Sequence, residues 1–323
     1  NWLHGSMMGP ASEVLKPCTF LEHRLDIIPN SGVKKEIDPN DPSESIRVSK
    51  GGGFPHFKEW PHHLDIAHQQ VHETWLKQPF DGGLKLMVSS AVNSEILSLA
   101  MGALWDKDVW RDMNCLEKQI NKIHEFCSRN KSWAAVAYNP WHAREIIHSG
   151  KLAIVIAVEC SNIFPPDQGH YLAQLAELYN IGVRSIQIVH HCDNRFGGAA
   201  PQERQLNSIQ SLSRLFRVSL QDSHIKNLGR NGHLGYFMDE DGKPLGFDFD
   251  SNGKSKRGLS ALGENLLKEM IKRHMLIDVS HYSARTFEDA YQVSKNHGYY
   301  PLFYSHTKFQ PILSDAEREV QRE

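Results

Sequence analysis

The chain has 323 residues, 40% of them hydrophobic, enough for a large core. Length alone allows about two domains, although α/β barrels routinely use roughly 250 residues as one. A net charge of −2 and a pI near 6.9 give no electrostatic case for nucleic acid or an anionic membrane, and no apolar run approaches the ~20 residues that span a bilayer.

Asn1-Trp2-Leu3-His4 offers neither a basic start, an apolar signal region nor an initiator Met, so the N-terminus reads as cut and the compartment stays open. The five cysteines (Cys18, Cys115, Cys127, Cys160, Cys192) are scattered, odd in number and without CxxC spacing. They read as free thiols, compatible with a cytoplasmic setting. Residues 28–62 are rich in Pro, Gly and charge, and 63–80 carry Leu64, Ala67, Val71 and Trp75 at helical spacing, so about 28–80 is expected to be an irregular and helical insertion. Leu84–Val88 follows the Asp81-Gly82-Gly83 turn as a short strand. Residues 112–129 form an amphipathic helix with Leu116, Ile120, Ile123 and Phe126 on one face. Pro140 opens another helix that stops at Gly150.

Leu152–Val158 is a nearly unbroken β-prone run, the pattern of a strand covered on both faces of a parallel sheet. Helix 170–180, strand 185–190, a polar excursion at about 197–257, helix 260–273, strand 275–280, helix 283–296 and strand 299–305 follow. Such repeated units predict a parallel sheet, wound either as a (β/α) barrel or as a doubly wound sheet. Polar residues at the strand ends favour the barrel, which aims catalytic groups inward from those ends. Glu159 follows one strand, His190 closes the next, and His281 and His306 follow two more.

Singly, Glu159 reads as a solvated carboxylate, and His281 or His306 as a capping or core histidine. Together they say more. Two strands end in the same Ser-His dipeptide and a third ends in Glu, and imidazoles plus a carboxylate are what Zn²⁺ or a similar divalent ion accepts.

Gly258-Leu259-Ser260…Gly263 through Met275–His281, and on to Tyr304-Ser305-His306, resembles the membrane (renal-type) dipeptidases of the amidohydrolase superfamily. Gly150–Ala153 running into Val158-Glu159, and Gly182-Val183-Arg184 followed by Val189–Asn194, fit the same family over most of 140–310. Asn194–Ala200 and the insertion look closer to a larger bacterial branch. The resemblance implies a (β/α)₈ barrel holding two zinc ions, here with about six strands present. Glu159 would bridge the ions, His281 and His306 would complete the second ion's ligands, and His190 would polarise the scissile carbonyl, with Asn194 beside it as a substrate contact. A metal-bound hydroxide would then hydrolyse an amide bond of a small peptide.

The sequence departs from the family at three points. His4 fits the first position of the family's opening ligand pair, but Ser6 stands at the second and is a poor zinc ligand. Nothing fills the role of the acid expected near the last barrel strand, and no arginine lies in Lys308–Ser314 to meet a substrate carboxylate. The chain is thus expected to lack part of its parent or to need another chain, a homo-oligomer included, to close it. Other signals read as structural: Asp248-x-Asp250-x-Asn252 has Leu259 where a calcium loop needs Glu, and His68 and His72 lack the zincin glutamate between them.

The sequence therefore predicts one barrel domain over 1–323 acting as a zinc-dependent dipeptidase-type hydrolase. The rival is a non-catalytic relative that keeps the barrel and at most one metal site. A third reading keeps the enzyme and changes the bond to a lactam, an ester or a deaminated base.

Overall fold

The computed structural model describes residues 8–9, 35–38, 41–47, 71–93, 111–165, 169–190, 193–200 and 255–306. The expected insertion and the 197–257 excursion fall mostly outside these residues, as do His4, Ser6, His68, Asp248–Asn252, Cys18 and Cys192. The chain divides into two compact units, Asn1–Ile154 and Val155–Glu323.

In the first unit, β1 (Met8–Gly9) pairs in parallel with β4 (Val71–His72), and β2 (Lys35–Asp38) pairs antiparallel with β3 (Asp41–Arg47). Of the helix expected over 63–80, residues 63–70 lie outside the described residues, Val71 and His72 pair with β1, and α1 runs Glu73–Asp81. β5 (Leu86–Asn93) runs five residues beyond the expected strand end at Val88. It is fixed to α2 (Asp112–Arg129) by an amide clasp: Gln119 Nε2 donates to Val92 O at 2.8 Å, and Val92 N donates to Gln119 Oε1 at 3.1 Å. The apolar stripe expected on α2 is the buried face, with Leu116, Ile120, Ile123 and Phe126 at most 3% exposed.

β6 (Ala134–Val136) precedes α3 (Pro140–His148), which starts where Asn139 Oδ1 accepts from His142 N at 2.8 Å and stops near Gly150, whose φ of +80° suits a residue without Cβ. β7 (Leu152–Cys160) begins in this unit, where Leu152, Ala153 and Ile154 pair in parallel with β6. Cys115, Cys127 and Cys160 are buried, and burial pushes the Cys127 thiol up to about 12, leaving it protonated and inert.

The second unit holds the rest of β7, then α4 (Tyr171–Asn180), β8 (Val183–Gln187), α5 (Ala261–Lys272), β9 (Leu276–Asp278), α6 (Ala284–Asn296) and β10 (Leu302–Phe303). β7–β8, β8–β9 and β9–β10 are all parallel pairs. This is the α/β architecture that the alternation of strands and helices predicts. The helices begin at sequence-visible caps: Ser260 Oγ accepts from Gly263 N at 3.0 Å, and Ser283 Oγ accepts from Thr286 N at 3.1 Å, each worth about 1 kcal/mol. Ile156, Val158, Ile186, Leu266, Leu267, Met270, Ile277 and Val279 form its core. The parallel sheet counts six strands, in the order β10-β9-β8-β7-β5 with β6 beside β7, and it does not close into a ring among the described residues.

Candidate metal centre

Parallel pairing sets the site. Its register places Glu159 beside Gln187, Gln187 beside Asp278, and Asp278 beside Phe303. Residues in register across a sheet sit at one height, on one face. Glu159 is the penultimate residue of β7, inside the strand rather than just after it. Each of the other strands ends at this row and projects a histidine three residues later: Gln187 then His190, Asp278 then His281, Phe303 then His306. Strand 185–190 was expected to end at His190; pairing stops at Gln187, and the turn that follows carries the ring.

Four side chains far apart in sequence thereby meet. Glu159 Oε1 lies 3.0 Å from His190 Nε2, 3.3 Å from His281 Nε2 and 3.6 Å from His306 Nε2. The two histidines of the Ser-His dipeptides are 2.7 Å apart, Nε2 to Nε2. Burial by itself would raise the Glu159 carboxyl, but the hydrogen-bonding rings of His190 and His281 outweigh it and hold that carboxyl well below the usual carboxylate range. Burial lowers His190 below the ordinary imidazole value, and Glu159 offsets this only in part. The pocket therefore holds an ionised carboxylate against a neutral, buried imidazole.

Glu159, His281 and His306 form a group able to hold a metal ion, their donor atoms all lying within 4.8 Å of one another. Tetrahedral ligands at about 2.0–2.1 Å from zinc stand roughly 3.3 Å apart. The observed edges of 2.7, 3.3 and 3.6 Å bracket that separation, so the donor set fits such an ion in both chemistry and spacing.

His281 sits at φ +64°, a left-handed conformation that costs a residue with a Cβ about 1–2 kcal/mol. The segment 193–200 holds it there. Ala200 N donates to His281 O at 2.8 Å, Ser283 N donates to Gly198 O at 3.0 Å, and Ala199 bridges Tyr282. That segment is in turn clamped from within. Asn194 Nδ2 donates to Ile188 O at 2.7 Å and Ser161 O at 3.2 Å, while its Oδ1 accepts from Phe196 N at 2.9 Å and Gly197 N at 3.2 Å. Asn194 is 1% exposed, and these four bonds spend its amide on backbone rather than presenting it to a ligand. A Cβ at Gly198 would lie 2.3 Å from Arg257 O, and one at Gly263 would lie 2.0 Å from Phe196 O, which explains why this motif needs glycine.

Sequence reasoning missed three residues that support the site. Asp278, Ser280 and Ser305 interconnect β9 and β10 directly beneath the two histidines. The only signal was the repeated Ser before His, and it says nothing about what the hydroxyls touch.

A family model described as "Membrane dipeptidase (Peptidase family M19)" matches residues 62–222 and 241–321, most of the chain. The chain belongs to the membrane dipeptidase family. An uncharacterised dipeptidase of Schizosaccharomyces pombe is 29% identical over 174 residues, covering 54% of this chain and 28% of that protein. Among solved structures, a metallopeptidase from Rhodobacter sphaeroides liganded with a phosphinate mimic of the dipeptide L-Ala-D-Ala aligns at TM-score 0.44 and 14% identity, covering 68% of this chain and 52% of that one. An amidohydrolase from Pseudomonas aeruginosa aligns at TM-score 0.42 and 15% identity, over 68% of this chain and 45% of that one. The chain thus spans about a quarter to a half of the length of these relatives. Among the described residues, Glu159, His281 and His306 form a group that could hold a metal ion.

Proposed function

We propose that this member of the membrane dipeptidase family hydrolyses the amide bond of a short peptide, within one barrel-type domain, at a Zn²⁺ ion held by Glu159, His281 and His306. The convergence of one carboxylate and two imidazole nitrogens from the ends of β7, β9 and β10 carries this reading. A bound divalent ion supplies Lewis-acid polarisation of the scissile carbonyl and a lowered pKa for water. The chain's own residues supply the rest. Glu159 stays ionised because His190 and His281 hydrogen-bond to it, so it is ready to bind a cation without first losing a proton.

His190 is 4% exposed and kept neutral by burial, with Nε2 aimed at the same carboxylate. Once an ion takes that carboxylate, the N–H now given to Glu159 would be released to stabilise negative charge growing on a carbonyl oxygen. Asn194 would influence substrate through the loop it clamps beside His190 and His281. His4 would belong to the set of a second ion.

Metal analysis of the purified chain, run together with hydrolysis of a panel of dipeptides, tests the proposal. Bound zinc with dipeptide turnover, both lost in Glu159→Gln, is the expected result. Zinc without turnover would favour the non-catalytic relative, and a chain that binds no zinc would remove the metal reading altogether.

A further inference from the structure

We propose that Asp278, Ser280 and Ser305 form a hydrogen-bonded positioning chain that fixes the ring of His306 and decides which of its nitrogens faces the ion, an inference that rests on the metal reading above. The chain starts in the interior. Asp278 Oδ1 accepts from Ser280 N at 3.0 Å, Ser280 Oγ at 2.7 Å and Ser305 N at 3.2 Å. Ser280 Oγ accepts from Ser305 N at 3.0 Å and lies 3.3 Å from Ser305 Oγ. Ser305 Oγ lies 2.8 Å from His306 Nδ1.

The carboxylate end gives the chain its direction. Ser280 spends its one hydroxyl proton on Asp278, so it can only accept from Ser305. Ser305 Oγ, 2.8 Å from His306 Nδ1, is placed to accept a proton carried there, while Ser280 Oγ also takes His306 N at 3.4 Å. The chain so assigned puts the ring proton on Nδ1, and Nε2 keeps its lone pair for the ion. On the other face of the ring, His306 Nε2 lies 2.7 Å from His281 Nε2 and 3.6 Å from Glu159 Oε1, so this is the nitrogen turned toward the other two donors.

The need for such a chain lies in the exposure of His306. Its side chain is 49% exposed, against 8% for His281, so less of its ring is held by packing. Asp278 and Ser280, 6% and 2% exposed, give the exposed ring a buried anchor across two strands. Groups that orient a ligand's second nitrogen in this way typically contribute about 10–100-fold to metal affinity.

The test uses the full chain with Ser305→Ala and Ser305→Thr, each carried through two measurements. Long-range ¹H–¹⁵N spectra of the metal-free protein report the His306 tautomer, and competition with a chelating dye reports the Zn²⁺ Kd. Wild type is expected to show His306 protonated on Nδ1. Ser305→Ala should move that proton toward Nε2 and weaken Zn²⁺ by about 10-fold or more, with the His190 and His281 signals in place, and Ser305→Thr should restore both readouts. An Nε2-protonated His306 in wild type, or a Ser305→Ala protein with unchanged ring and affinity, would overturn the proposal. Absence of zinc binding by wild type itself would instead sink the metal reading, while the spectra would still decide the positioning chain.

Discussion

The two Ser-His dipeptides are identical in sequence, and the structure holds their histidines by different means. His281, its side chain 8% exposed, is bent into a left-handed backbone conformation and pinned through its own carbonyl by Ala200 N. His306 is half exposed and steadied through its ring, by Ser305. In the proposed metal site the cost of preorganisation would be met in two places. One histidine would be fixed by backbone strain that the loop 193–200 holds down, the other by hydroxyls leading to a buried carboxylate. A cation binding here would meet one rigid donor and one adjustable donor, and disturbing the two should have separable consequences.

The largest expected effect comes from undermining the rigid side. Phe196 is fully buried, and its ring meets Phe164 edge-on at 6.2 Å. Phe196→Ala should cost roughly 3–5 kcal/mol in denaturant unfolding. A loss below about 1 kcal/mol would mean that the loop is not what restrains His281.

Next is the ion itself. Free zinc at 100 times its Kd should stabilise the chain by about 2.7 kcal/mol over chelator-treated protein, with less protection in His306→Ala and none in His281→Ala. Equal protection in the two variants would erase the distinction between rigid and adjustable donors.

Asn194→Ala should lower stability by about 1–3 kcal/mol, because backbone groups at Ile188, Phe196 and Gly197 lose a buried partner. Any dipeptide KM should move little. A KM effect with unchanged stability would return Asn194 to direct substrate contact. The smallest effect is kinetic: the Ala200 amide, tied to His281 O, should exchange more slowly than the Ser305 amide, and the reverse order would contradict the contrast.

Much of the fold was legible because local pattern and tertiary role agree. Helix α2 follows its apolar stripe over the expected 112–129, α3 begins at Pro140, and β7 emerges from a run with no polar interruption before Glu159. What was hidden depends on partners distant in sequence. Ala134–Val136 is a strand only because Leu152–Ile154 lies beside it, and three small or medium residues carry no period of their own. The strand before His190 ends at Gln187 because pairing with β9 ends at Asp278.

The ligand candidates were visible as polar residues at strand ends. Their convergence was expected from the barrel and the resemblance, but how it is reached, through the register row Glu159–Gln187–Asp278–Phe303, was not. Nor could a sequence show His281 at positive φ, or Asp278 as the acceptor beneath both Ser-His turns. Asn194 was expected as a substrate contact, and the four backbone bonds that occupy its amide only appear once the loop is folded.

The central claim is that one cation is shared by β7, β9 and β10. Anomalous diffraction at the zinc edge, from crystals of this chain grown with Zn²⁺, tests it most directly. The expected result is a peak about 2.0–2.2 Å from Glu159 Oε, His281 Nε2 and His306 Nε2 together. A zinc peak held elsewhere, with these three side chains left hydrogen-bonded to one another, would contradict it.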